Sequence, residues 1–263
     1  LNPLRLEATW RLDYHQTMTL DSPSLILLIA GITIVAFLYS SVGHAGASGY
    51  IAVMTLCGLS ATFIRPTALV LNILVAAIGS FQFWQAGYFS WRLFWPFALL
   101  SIPAAFLGGY LPVPADLLKI LIGSVLLFSA VRLFFRQGDP AGTAPPLAPI
   151  AIGTGAGIGF LSGLTGTGGG IFLTPLLLFC RWASIRGAAA VSALFILVNS
   201  IAGLAGYISS GRPIPNFAWI LAVAAVIAGT LGSHLGSRRF PVRTISLILA
   251  VVLVLAGCKL IFA

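Results

Sequence analysis

The sequence predicts an all-α integral membrane protein built as two inverted repeats of about five segments each. Three observations predict it. The 263 residues are 59% hydrophobic and 7% charged, with a mean hydropathy of +1.06, whereas a soluble domain carries about 25% charged residues. Apolar runs recur along the whole chain, punctuated by Gly, Pro and charge. Two glycine-rich breaks, S-V-G-H-A-G-A-S-G at Ser41–Gly49 and S-G-L-T-G-T-G-G-G at Ser162–Gly170, stand 121 residues apart, each between a long apolar run and a short one.

Taken in order, residues 1–22 are polar with scattered Leu and Trp and lack the apolar centre of a signal peptide. They read as a tail, disordered or interfacial. A first membrane repeat, 23–136, holds apolar runs at about 24–41, 49–60, 64–86, 92–111 and 116–135. Residues 137–147 lie in the one clear linker, R-Q-G-D-P-A-G-T-A-P-P-L-A-P, polar and rich in Pro, Gly and Ala. The second repeat, 148–263, holds runs at about 148–164, 170–180, 186–209, 216–236 and 243–262.

Echoes between the two series preserve their order. Ser41 and Ser162, Gly49 and Gly170, and Arg65 and Arg186 share an offset of 121, and Leu107-Gly108 returns as Leu231-Gly232. An odd number of segments per repeat turns the second upside down relative to the first. With the N-terminus outside, Arg92, Arg132, Arg136, Arg181, Arg186, Arg238, Arg239 and Arg243 fall on the cytoplasmic side. Arg5, Arg11, Arg65, Lys119, Arg212 and Lys259 then fall outside. This excess of inner positive charge puts both termini on the outer side of a multi-pass protein of the cytoplasmic (inner) membrane.

The second segment of each repeat is too short to span. Residues 49–60 reach about 18 Å as a helix, against a hydrocarbon core of about 30 Å. Each glycine-rich break is therefore expected at an intramembrane tip, where segments one and two form a hairpin. Irregular backbone survives at that depth only where it lines a cavity, and paired interruptions of this kind point to a transporter site. A helix starting at each tip aims unpaired N–H groups and its positive dipole end at the space between the tips.

These features suit a small oxyanion held without a buried cation. The candidate ligands are His44, Gly46, Ala47, Ser48 and Gly49 on the first tip, with Thr165, Thr167, Gly168, Gly169 and Gly170 on the second. Asn72, Ser192 and Asn199 on the third segments join them, because an amide in hydrocarbon must find a partner. Helix packing by small residues is the competing reading. His44 can bond the anion, titrate with transport or cap a carbonyl. Arg65 and Arg186 either snorkel to headgroups or draw anions into a vestibule.

Absences narrow the chemistry. The five acids, Glu7, Asp13, Asp21, Asp116 and Asp139, all lie outside the spans or at their ends, which disfavours a cation pathway and a carboxylate proton relay. Cys57, Cys180 and Cys258 have neither metal nor disulfide spacing, and no metal or cofactor is expected. The net charge of +9 is scattered singly at segment ends, so lipid headgroups and not nucleic acid are the expected contacts. No enzyme signature is present; G-T-G-A-G-I-G at Gly153–Gly159 imitates a dinucleotide fingerprint but lacks its preceding strand.

The chain resembles the TauE/SafE sulfite exporter family, within the toluene-sulfonate uptake permease superfamily. The likeness rests on Ser41–Tyr50, on R-P-T-A-L-V-L-N at Arg65–Asn72, on Gly159–Pro175 and on S-A-L-F-I-L-V-N-S at Ser192–Ser200. It runs in order over about residues 24–262. The resemblance implies a carrier that exports sulfite or a related small sulfur oxyanion or organosulfonate. An anion channel and a non-transporting scaffold subunit are the alternatives. The expected partners are the small anion and membrane lipid, with homo-oligomerisation compatible with either.

Overall fold

The computed structural model describes residues 22–41, 46–134 and 142–239, together with 251, 253–255, 257–259 and 261–262. The polar tail, His44 and the first part of the linker lie outside the described residues. Among the described residues every regular element is a helix. The first five are α1 (Ser22–Ser41), α2 (Ala47–Leu56), α3 (Ala61–Gln85), α4 (Trp91–Tyr110) and α5 (Ala115–Phe134). After the extended residues 142–147 follow α6 (Ala148–Thr165), α7 (Gly170–Phe179), α8 (Ile185–Ser209) and α9 (Phe217–Arg239). Among the described residues four stretches are long and apolar enough to cross a bilayer, namely Ala61–Gln85, Trp91–Tyr110, Ala148–Thr165 and Arg186–Ser209.

Helix boundaries follow local chemistry. Ser184 caps α8 by accepting from the Gly187 amide at 3.2 Å. Pro149 opens α6, where a missing N–H costs nothing. The lengths also pair across the linker: α2 and α7 have 10 residues each, and α3 and α8 have 25 each.

Among the described residues the buried apolar side chains form two large clusters and a small third, Ala76 with Ile196. One draws on α1, α2, α3, α5 and α9. The other draws on α4, α6, α7 and α8. The fourth helix of each series thus packs with the opposite series, α4 on α6 and α9 on α1. The seam between the clusters is the crossing of α3 and α8. There Arg65 lies under the Tyr207 ring, Leu69 meets Gly203, and Ala76 clusters with Ile196, so the two helices run antiparallel. α8 runs parallel to α4, because Arg186 reaches Tyr88 at one end and Gly206 abuts Phe106 at the other.

Lipid tails are as apolar as leucine, so helices associate in a bilayer by close contact and not by escape from solvent. The α4–α6 contact shows how. A Cβ on Gly155, Gly159 or Gly163 would stand 2.3, 2.3 and 2.1 Å from the carbonyl oxygens of Phe97, Ser101 and Ala105. Four-residue spacing on both helices keeps the two backbones in touch over about two turns. Gly159→Ala should therefore cost about 1–3 kcal/mol through overpacking, read as a lower thermal midpoint in detergent. Gly157→Ala, where a Cβ meets nothing within 4 Å, should leave the midpoint unchanged or raise it through helix propensity, by at most about 1 kcal/mol.

Candidate functional site

The second break builds a tight turn inside the protein. α6 ends at Gly166 in the left-handed conformation (φ 81°), and Gly169 (φ 81°) starts α7 from the same region. The Phe172 and Leu173 amides both return to the Gly169 carbonyl, and no side chain caps the helix. The Gly170 and Ile171 amides therefore have no acceptor within their own helix. Gly168 lies between the tip and the α3–α8 seam. A Cβ there would stand 3.0 Å from Ser200 Oγ and 3.4 Å from Asn72 Nδ2.

Hydrogen bonds sort the candidate ligands. Asn72 donates from Nδ2 to the Gly166 carbonyl at 3.0 Å, and its Oδ1 is buried without a partner. Ser200 Oγ is likewise buried and unpartnered. Thr165 donates to the Leu161 carbonyl at 2.7 Å and pairs with Thr167 at 3.0 Å. Its own proton spent, Thr165 receives the Thr167 proton. Ser192 accepts from Thr174 at 2.8 Å. Asn199 donates to the Phe195 carbonyl and accepts from Ser101 on α4 at 2.7 Å, so its amide ties helices together.

The first tip is closed by aromatic side chains. Gly46 (φ 82°) starts α2 uncapped, and the Tyr50 amide returns to its carbonyl at 3.0 Å. Ser48 Oγ pairs with Tyr39 Oη at 2.8 Å. Ala47 is buried beside it, and a Cβ on Gly49 would stand 2.6 Å from the Tyr39 ring. Tyr50 Oη is buried without a partner. Among the described residues both tips carry a hydroxyl pair and an unpartnered hydroxyl, but tyrosine rings line the first, and the Asn72 amide lies at the second.

The two arginines that share one sequence offset are parted in space. Arg65 is 1% exposed, buried too deeply to snorkel. Its Nε donates to the Gly163 carbonyl at 2.9 Å, and its Nη2 donates to Gly108 and, at 2.7 Å, to Gly109. Arg212, over the Tyr207 ring at 4.4 Å, adds a second donor to Gly109 at 2.7 Å. Burial pushes the Arg212 pKa below its ordinary value, and Tyr207 opposes that shift. Arg186, by contrast, is exposed beside Tyr88, at the other end of α4. Sequence reasoning missed Ser200 and Ser101 as partners, and it gave Arg65 no role in joining helices.

Two comparisons bear on what such a chain does. A family model described as "Sulfite exporter TauE/SafE" matches residues 27–260. The "Probable membrane transporter protein y4hK" of Sinorhizobium fredii is 42% identical over 250 residues, covering 92% of this chain and all of the relative. "Probable membrane transporter protein YunE" of Bacillus subtilis is 32% identical over 135 residues, covering 50% of this chain and 48% of that one. "Probable membrane transporter protein MJ0441" of Methanocaldococcus jannaschii is 25% identical over 193 residues, covering 66% and 70%. No solved structure matches.

Arg65→Ala leaves the Gly163 and Gly108 carbonyls without their side-chain donor, while Gly109 keeps that of Arg212. It should cost at least about 3 kcal/mol, measured as loss of thermal stability of the detergent-solubilised protein. Arg65→Lys should recover only part of that loss, because one ammonium cannot reproduce the planar fork that spans α4 and α6.

Proposed function

The chain belongs to the sulfite exporter TauE/SafE family, and from that membership we propose that it is a secondary carrier exporting sulfite or a closely related small sulfur anion across the cytoplasmic membrane. The family is one of membrane transporters, and no enzymatic activity is proposed for this member. The observation that carries the site assignment is the second tip. Unpaired amides at the start of α7 follow directly on Gly168, and the buried Asn72 side chain and Ser200 hydroxyl lie against that glycine. A helix N-terminus of this kind binds oxyanions through N–H groups and dipole together.

In this reading residues 23–136 and 148–263 are inverted repeats joined by the 137–147 linker. The antiparallel crossing of α3 and α8 and the equal lengths of paired helices support it. The anion sits by the seam, against Gly168–Gly170 and Asn72. Thr165 and Thr167 brace the turn, and Asn199 and Ser192 hold α8 in register. The first tip, with Gly46, Ala47, Ser48 and Gly49, closes the opposite side of the pathway. Arg186 draws anions toward one vestibule, while Arg65 supplies a fixed positive field from within. The two helix clusters rock about the seam to alternate access.

Two measurements test this. Purified protein in proteoliposomes should show saturable sulfite flux with counterflow, and Asn72→Ala should weaken apparent affinity about tenfold, close to 1.4 kcal/mol. Preference for acetate over sulfite would sink the sulfur-anion assignment, and steady voltage-driven conductance would mark a channel. The inverted arrangement is tested by Cys57 and Cys180, which cap the ends of α2 and α7. A membrane-impermeant maleimide should reach them from opposite faces. Cys57 should react more slowly, since it is half-buried and burial raises its thiol pKa.

A further inference from the structure

Resting on the oxyanion site just proposed, we propose that Asn72 and Ser200 select an anion that is singly charged and still carries a proton: hydrogen sulfite, not the sulfite dianion. The orientation of the Asn72 amide is the starting point. Its Nδ2 is committed to the Gly166 carbonyl at 3.0 Å, and flipping the amide would set two oxygens against each other. One Nδ2 proton remains beyond that bond, and Oδ1 is a buried acceptor with no donor. An oxyanion that presents bare oxygens everywhere is repelled at that point. One that presents an O–H satisfies it.

Ser200 completes the discrimination. Asn72 and Ser200 flank Gly168 from the two sides of the α3–α8 seam, and both are wholly buried. A hydroxyl donates one hydrogen bond and accepts others, so Ser200 can accept from the same ligand proton or donate to a ligand oxygen. The remaining ligand oxygens face the Gly170 and Ile171 amides, which have no acceptor within α7. The tip side thus offers donors, while the seam side adds one Asn72 N–H, the Ser200 hydroxyl and the Oδ1 acceptor that a ligand proton alone satisfies.

The charge available points the same way. A helix N-terminus supplies roughly half a positive charge, enough to balance part of a monoanion. The cost of desolvating an ion rises with the square of its charge, so a dianion needs a full cation in contact. The Nε and Nη2 donors of Arg65 are turned to the Gly163, Gly108 and Gly109 carbonyls. Among the described residues, the other titratable groups on the facing helices are Tyr207, two turns from Ser200 and against Arg65 and Arg212, and Arg186, exposed beside Tyr88 at the far end of α8. A site built around a ligand hydrogen bond rejects an analogue that lacks the proton, because its own polar atom is then stranded.

The test uses the full chain in proteoliposomes, with sulfite and methanesulfonate as probes across pH. Methanesulfonate is a monoanion with no proton to give. The apparent KM for total sulfite should rise about tenfold per pH unit once the dianion dominates, while that for methanesulfonate stays high and flat. A titrating protein group would move both curves together and overturn the inference. So would a sulfite KM that is constant or falls in alkali. Ser200→Ala should narrow the preference for hydrogen sulfite over methanesulfonate about tenfold, and Ser200→Thr, which keeps the hydroxyl, should preserve it. Saturable sulfite flux with dianion preference sinks only this inference. Absence of saturable flux at every pH sinks the carrier assignment and this inference with it.

Discussion

A carbonyl inside a bilayer has no water to turn to, and the place where α4 stops and α6 nears its tip is crowded with them. Arg65 is the donor that makes this place tenable. From the first turns of α3 it reaches across to Gly163 on α6 and to Gly108 and Gly109 on α4. One side chain thereby fixes three helices at the level where the second tip begins. A Cβ on Gly166 would stand 2.8 Å from the Arg65 carbonyl, so the backbone around the arginine sets the floor of the turn as well. The left-handed glycines, the free amides of α7 and the Asn72 bond to Gly166 all depend on that position being held.

The packing around this point is of two kinds, and they differ mechanically. Where glycine stripes bring backbones together, as between α4 and α6, the contact is rigid because nothing can rotate away. Across the α3–α8 seam the contacts are between side chains such as Leu69, Ala76 and Ile196. Side chains change rotamer and slide; touching backbones do not. Motion between the two clusters is therefore easiest along the side-chain contacts of the seam, with the end where Arg65 ties α3 to α4 and α6 as its fixed point.

The class of fold was legible because composition and segment length leave few choices once water is excluded. The 10-residue helices after each break, and the matching 25-residue helices that follow them, could be read from run lengths alone. Which polar residue faces the turn could not. Asn199 and Ser200 are neighbours in sequence, and successive helix positions point about 100° apart, so only one can look at Gly168. The signal lay in the stripe Ile196, Ser200, Gly203 and Tyr207, whose four-three-four spacing repeats that of Arg65, Leu69, Asn72 and Ala76. Recognising it requires knowing that α3 and α8 cross. The use made of Arg65 was hidden for a related reason, since carbonyl acceptors carry no mark in a sequence.

Placing α9 on α1 and α4 on α6 has a consequence for how the chain is made. α1 leaves the ribosome well before its partner, since the helix that covers it is made more than 170 residues later. Until then its inner face meets lipid or a chaperone, and α4 waits in the same way for α6. A nascent chain halted at the 142–147 stretch holds two helices whose mates do not yet exist. Assembly is thus closer to the closing of a clasp than to the stacking of finished parts. Two chains stalled at that point would each offer the other an unclaimed surface, which makes exchange between copies the characteristic misassembly of this architecture.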